Sequence, residues 1–99
     1  MNISIENGNP IVARLAGRLD TAAAAEITPD IQDLALQADQ HIVLDCTDLE
    51  YISSSGLRLF LTLRKESAAK GGKLQVRNIN NDIRQVFMMT GFISLFEII

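Results

Sequence analysis

Three consecutive serines, Ser53, Ser54 and Ser55, stand just before Gly56 at the start of a predicted helix. One hydroxyl at a helix start can cap a free backbone N–H group, and this accounts for one serine. A serine hydroxyl can also accept a phosphate, which adds roughly −1.5 to −2 charges. The residues therefore support two interpretations: a capped helix start, or a partner-docking surface that phosphorylation switches.

The residues on either side of the serines extend this hypothesis. Gly56 has no side chain, so we expect a partner to approach the backbone closely there. Leu57 lies on the apolar face that attaches the helix to the core. Asp20 follows an apolar run in the segment GRLD, where its carboxylate can cap the next helix and can also contact the partner.

Residue types that support catalysis are sparse. His41 is the only histidine, and Cys46 has no second cysteine or histidine beside it to complete a metal site. The segment GGK at 71–73 does not fit a phosphate-binding loop, because Leu74 stands where Ser or Thr is required. No Gly-x-Ser-x-Gly segment is present, which argues against a hydrolase of that type. We predict neither an enzyme nor a bound cofactor.

Asp45 and Asp48 flank Cys46 and Thr47 at the end of an apolar run. Two carboxylates at this spacing could bind a cation. Aspartates at such positions more often accept hydrogen bonds from nearby N–H groups, and we favour this structural role.

The composition limits the class of protein. The chain of 99 residues is 47% hydrophobic, which suits one domain with a single core. A net charge of −3, with scattered basic residues, argues against nucleic-acid binding and against a basic membrane patch. No apolar stretch approaches the roughly 20 residues of a membrane span. A single cysteine and the lack of a signal peptide predict a cytoplasmic protein.

Hydrophobic periodicity and turn residues predict the elements that position the serines. Asp20 and Asn80 are candidate helix caps, and Gly71 and Gly91 are candidate helix ends. Pro29 either begins a second helix capped by Thr28 or interrupts one longer helix. The predicted strands are 3–5, 11–17, 41–47, 73–78 and 93–99, and the predicted helices are 21–38, 54–69 and roughly 81–90.

The order of these elements predicts an α/β domain. The first two strands form a hairpin around the turn NGNP. The remaining strands alternate with helices, which predicts parallel crossovers. Strands 41–45 and 73–77 should therefore be parallel neighbours, with helix 54–69 as their crossover. The serines then lie at the carboxyl edge of the sheet, where binding sites of such folds occur.

The chain resembles STAS domains of anti-sigma factor antagonists. The resemblance covers the segments GRLD at 17–20, DCTDLEYISSSGLRLFLTLRKESAAKGGKLQVRNI at 45–79 and VFMMTGFISLFEI at 86–98. It implies one STAS domain over 1–99, with a mixed, mostly parallel sheet and helices packed on it. It also implies a cytoplasmic protein that binds an anti-sigma factor with serine kinase activity and thereby frees a sigma factor.

The resemblance also assigns residues. The kinase phosphorylates the serine two positions before the glycine, which is Ser54 here, and a metal-dependent phosphatase restores it. Ser53 stands at the frequent Asp of the family pattern. Many members continue into a final helix beyond the position of Ile99. One apolar part of the fold is then either left open, covered by a partner, or covered by a second copy in a weak homodimer. The implied partner-binding residues are Asp20, Ser53, Ser54, Ser55, Gly56, Leu57 and Arg58.

A second function from a different class stays open at this point. STAS domains also serve as small subunits of lipid-transport ABC systems, where they brace the ATPase. Those subunits have a threonine-glycine version of the loop, so SSSGL at 53–57 favours the signalling function.

Overall fold

A computed structural model describes residues 1–99 of the chain as one five-stranded sheet with three α-helices. In chain order the elements are β1 (Asn2–Glu6), β2 (Ile11–Leu19), α1 (Thr21–Leu36), β3 (His41–Ile52), α2 (Ser54–Lys70), β4 (Lys73–Arg77), α3 (Asn81–Met89), a short 3-10 helix (Phe92–Ser94) and β5 (Glu97–Ile98).

The strands lie in the sheet in the same order as in the chain. β1 and β2 form the predicted antiparallel hairpin, with β1 at the edge, and the other three pairs are parallel. β3 and β4 pair from His41 opposite Lys73 to Asp45 opposite Arg77, with α2 as their crossover. The predicted mixed, mostly parallel α/β sheet is therefore confirmed.

One face of the sheet and the inward faces of the three helices form the core. Twenty-one buried residues make up a single cluster. At its centre the Phe60 ring meets the Phe87 and Phe96 rings edge-on, at centroid distances of 6.3 and 6.4 Å. Edge-to-face pairs of this kind stabilise a core beyond their area alone.

The opposite face of the sheet carries polar side chains that pair across strands. Asp45 is buried there between Arg77, which donates a hydrogen bond at 2.9 Å, and Arg14, at 3.8 Å. Residues 42–46 are all buried, so both faces of this part of β3 are covered.

α1 is one continuous helix with Pro29 in its interior. The Thr28 hydroxyl donates to the carbonyl of Ala24 at 2.7 Å, inside the helix. Thr28 therefore does not cap a second helix, and the alternative of one longer helix is correct. The prediction that Asp20 caps α1 is confirmed, because its carboxylate accepts from the Ala23 N–H at 2.8 Å.

α1 ends at Leu36, two residues before its predicted end, whereas the predicted start of α3 and the predicted end of α2 agree with the structure. Asn80 caps α3 by accepting from the Ile83 N–H at 2.8 Å. Gly71 follows α2 in the left-handed conformation, with φ of 71°, and its N–H donates to the Ser67 carbonyl. Glycine adopts this conformation without steric cost, which explains why α2 stops there.

β3 extends five residues beyond the predicted strand. Its pairing with β2 shifts register twice, between Arg14 and Ala16 and again between Gly17 and Arg18. Each shift places an extra β3 residue opposite β2, so the inward residues become Cys46, Leu49 and Ile52, three positions apart. This spacing hides the strand from a search for alternating residues. Strand 41–47 is therefore too short as predicted.

The prediction of a strand over 93–99 is wrong for most of its length. Residues 92–94 form a 3-10 turn, and only Glu97–Ile98 pair with β4. The segment ISLFEII predicts a strand because five of its seven residues are apolar. Phe96 instead packs against the rings of Phe60 and Phe87 in the core. This packing does not require Phe96 to pair with a neighbouring strand.

Candidate functional site

The serine triplet, Ser53–Ser55, lies where β3 ends and α2 begins. Leu19 at the end of β2 pairs with Ile52, and the Ser53 N–H donates to the Leu19 carbonyl at 2.9 Å. This bond fixes the start of α2 against the start of α1. Asp20 and Ser53 are therefore neighbours at the carboxyl edge of the sheet, which is the predicted position of the serines.

The three hydroxyls have different environments. The Ser53 hydroxyl is the cap of α2, accepting from the Gly56 N–H at 3.2 Å, and its residue is half-buried. Ser54 is exposed, and its hydroxyl makes no hydrogen bond within the protein. Ser55 is half-buried and its hydroxyl is also unbonded. Of the three, only Ser54 offers a hydroxyl that is both exposed and free.

The start of α2 also has free backbone donors. The N–H groups of Gly56 and Leu57 bond to the Ser53 side chain and carbonyl. The N–H groups of Ser54 and Ser55 have no acceptor in the protein. Unpaired N–H groups and the helix dipole together favour a negative charge at this point.

Gly56 and Leu57 lie inside the domain rather than on its surface. A Cβ atom on Gly56 would lie 2.7 Å from Leu19 Cγ and 3.0 Å from Ile52 Cγ1, which is too close. Leu57 is buried in the core. The expectation that a partner approaches Gly56 closely therefore needs correction: the missing side chain makes room for β2 and β3. Both residues position the serine triplet.

Arg58 completes the predicted set of partner-binding residues. It is exposed on the first turns of α2, and its guanidinium takes part in none of the four ion pairs of the domain. The exposed members of the predicted set are thus Asp20 at the start of α1 and Ser54 and Arg58 in the first turns of α2.

Comparison with known proteins agrees with this fold. The STAS domain family model matches residues 2–99. The chain belongs to the STAS domain family. It is 31% identical to the anti-sigma-B factor antagonist of Bacillus subtilis, with 99% of this chain and 92% of that one covered. It is also 31% identical to the anti-sigma F factor antagonist of Paenibacillus polymyxa, covering 99% and 87% of the two chains.

A solved structure shows the same architecture. The Bacillus cell fate determinant SpoIIAA, in its phosphorylated form, is 26% identical to this STAS domain, with a TM-score of 0.74. The similarity covers 99% of this chain and 91% of that one. Both chains therefore share the fold over nearly their whole length.

The remaining reactive residues of this STAS domain lie away from the serine triplet or are engaged. His41, at the opposite end of β3, contacts Gln75 Oε1 through Nε2 at 2.6 Å. Burial raises the pKa of the Cys46 thiol to about 12, with a contribution from the adjacent Asp45 carboxylate. A thiol with that pKa is a poor nucleophile at neutral pH.

Asp45 has the structural role that we favoured. Partial burial raises its pKa, but hydrogen bonds from Thr47 and Arg77 outweigh burial, so the pKa lies below its ordinary value. The Thr47 N–H donates to it at 3.0 Å. No group of three or more metal-ligating side chains occurs in the domain, and none of the helices has the length and apolarity to cross a membrane.

The structure adds a feature beside the serine triplet that sequence reasoning missed. A hollow of about 180 Å³ lies between the end of β3 and α3. Arg18 and Tyr51 form one wall, with the guanidinium carbon 4.4 Å from the ring centre, and Val86 lies on the α3 side. The second register shift of β3 brings Arg18 opposite Tyr51. Sequence spacing alone carries no signal for this pair.

Proposed function

We propose that this protein is an anti-sigma factor antagonist. It binds an anti-sigma factor with serine kinase activity and thereby releases a sigma factor. Two relatives that are 31% identical over nearly the whole chain are named anti-sigma factor antagonists. Because the kinase uses ATP and the sigma factor acts on transcription, the protein works in the cytoplasm.

Phosphorylation of Ser54 switches this interaction off. The observation that carries the assignment is the state of the three hydroxyls: Ser53 is used by the helix cap, Ser55 is half-buried, and Ser54 is exposed and free. SpoIIAA, which is 26% identical, has itself been solved in a phosphorylated form.

The physical basis of the switch is a charge that the free domain tolerates and the complex does not. The unpaired N–H groups of Ser54 and Ser55 and the helix dipole accommodate a phosphate at the start of α2. In a complex that covers this edge, the phosphate loses its hydration and meets the surface of the partner. Desolvation and repulsion then oppose binding without unfolding the domain.

The exposed and half-buried residues of the predicted set define the docking face. Asp20, the serine triplet and Arg58 contact the kinase, while Gly56 and Leu57 hold α2 against the sheet. A metal-dependent serine phosphatase removes the phosphate and restores binding. The protein itself performs no catalysis in this cycle.

Site mapping with the partner kinase and ATP tests this assignment. The wild-type chain should gain one phosphate, and fragment mass spectra should place it on Ser54. Ser53→Ala and Ser55→Ala should still gain it, whereas Ser54→Ala should not. A phosphate on Ser53 or Ser55 in the wild-type chain would contradict the choice of acceptor, and the absence of phosphate in all four proteins would contradict the proposed partner.

A further inference from the structure

Arg58 is a cation without a partner, and it stands four residues after Ser54 in α2. Its guanidinium makes no hydrogen bond and no ion pair within the protein, and it stacks on no aromatic ring. The residue is exposed. An unpaired, solvated guanidinium is free to bind an anion that appears beside it.

The helix places the two side chains on the same face. Residues four apart in an α-helix are surface neighbours, with Cβ atoms about 5–6 Å apart. Side chains of a helix also lean toward its amino end, so the Arg58 side chain extends over the turn that contains Ser54. The long, flexible arginine therefore reaches a phosphate on Ser54 without any movement of the backbone.

The start of α2 has no negative charge to balance these positive groups. Its first turn holds no acidic residue, whereas the first turn of α3 holds Asp82. The unpaired N–H groups of Ser54 and Ser55 add partial positive charge at the same end of the helix. A cation near the amino end of a helix is unfavourable, and an anion there relieves this cost. The start of the unmodified α2 therefore carries positive charge that no acidic residue of its first turn balances.

We infer that Arg58 binds the phosphate of phosphorylated Ser54, an inference that rests on the proposed phosphorylation of that serine. The pairing stabilises the modified form through charge-assisted hydrogen bonds within one turn of α2. It also withdraws the guanidinium from the docking face. Phosphorylation then changes that face twice, by adding a negative charge and by engaging the exposed cation.

The test uses phosphoserine installed at position 54 during translation, so that no kinase is needed. The second pKa of the phosphate, near 6 in the free residue, is followed by phosphorus NMR. It should be lower by about 0.3 in the wild-type background than in Arg58→Gln, as expected for a helical charge pair. The Nε–H signal of Arg58 should also shift on phosphorylation.

Lys65→Gln is the matched control, because it removes one positive charge from an exposed position of the same helix. Eleven residues separate Lys65 from Ser54, or about 16 Å along the axis, which exceeds the screening length of roughly 10 Å. The phosphate pKa of Lys65→Gln should therefore equal that of the wild type. Arg18, at the end of β2, and Asp20, the cap of α1, are unchanged in every variant.

The outcomes separate this inference from the function on which it rests. Equal phosphate pKa values in the wild type and Arg58→Gln would overturn the pairing. A phosphate pKa that rises as much in Lys65→Gln as in Arg58→Gln would also overturn it. Failure of the kinase to modify Ser54 would overturn the proposed function and leave the titration unaffected. A lower wild-type pKa together with a shifted Arg58 signal would establish the pairing.

Discussion

Gly56→Ala changes one hydrogen atom into a methyl group at the point where α2 meets the sheet. The new Cβ atom would lie 2.7 and 2.9 Å from two carbons of Leu19 and 3.0 Å from Ile52 Cγ1. Leu19 is fully buried and Ile52 nearly so, which leaves them little room to move. The methyl group therefore forces α2 outward or its neighbours out of their preferred rotamers.

The expected net cost is about 1–2 kcal/mol of unfolding free energy. Overpacking of a filled core costs roughly 1–3 kcal/mol. Alanine recovers up to about 1 kcal/mol, because it forms helix more readily than glycine does. Urea denaturation followed by circular dichroism measures the difference. Gly8→Ala makes the same chemical change in the hairpin turn, where the nearest atom is 3.4 Å away, and should stay within about 0.5 kcal/mol of wild type.

A double-mutant cycle tests the cause of this loss. Leu19→Ala removes the two carbons that the new methyl group meets, so Gly56→Ala should cost less in that background than in the wild type. If the two changes are additive, the close approach to Leu19 does not explain the glycine. If Gly56→Ala is as stable as wild type, the packing argument for this position is wrong.

Three further predictions concern single side chains. Ser53→Ala removes the helix cap and should cost about 1 kcal/mol in urea denaturation, whereas Ser54→Ala should cost nothing measurable; equal losses would contradict the distinct roles of the two hydroxyls. The pKa of Asp45 is depressed on folding, so its carboxylate stabilises the fold fully above its ordinary pKa of 3.8 and loses this contribution as pH falls through the lower folded-state value. In a plot of unfolding free energy against pH, Asp45→Asn should therefore lose less stability than the wild type as the pH falls below 3.8. An equal loss in the two proteins would refute this. The Cys46 thiol should react with a thiol reagent at pH 8 only after unfolding, and rapid reaction of the native protein would show that it is not shielded.

Most of the fold could be predicted because local signals agree with the tertiary structure. The caps Asp20 and Asn80 and the left-handed Gly71 each act through their own turn of chain, so they are visible in the sequence. The parallel pairing of β3 with β4 follows from the strand-helix-strand order. The position of the serine triplet at the carboxyl edge of the sheet follows from the same topology.

The errors arise where distant parts of the chain decide local structure. The second half of β3 depends on two register shifts against β2, and these replace the alternation of inward residues with a spacing of three. Phe96 does not lie in the expected strand, because it packs against the rings of Phe60 and Phe87 in the core. The role of Gly56 depends on the side chain of Leu19, which is 37 positions earlier in the sequence.

The affinity of the anti-sigma factor kinase for the unmodified chain and for the chain with phosphoserine at position 54 tests the proposed switch most directly. Isothermal titration calorimetry on the two purified forms, both checked for folding by circular dichroism, measures the difference. The phosphorylated form should bind at least about tenfold more weakly, which corresponds to about 1.4 kcal/mol. Equal affinities of two folded proteins would contradict a phosphate switch at Ser54.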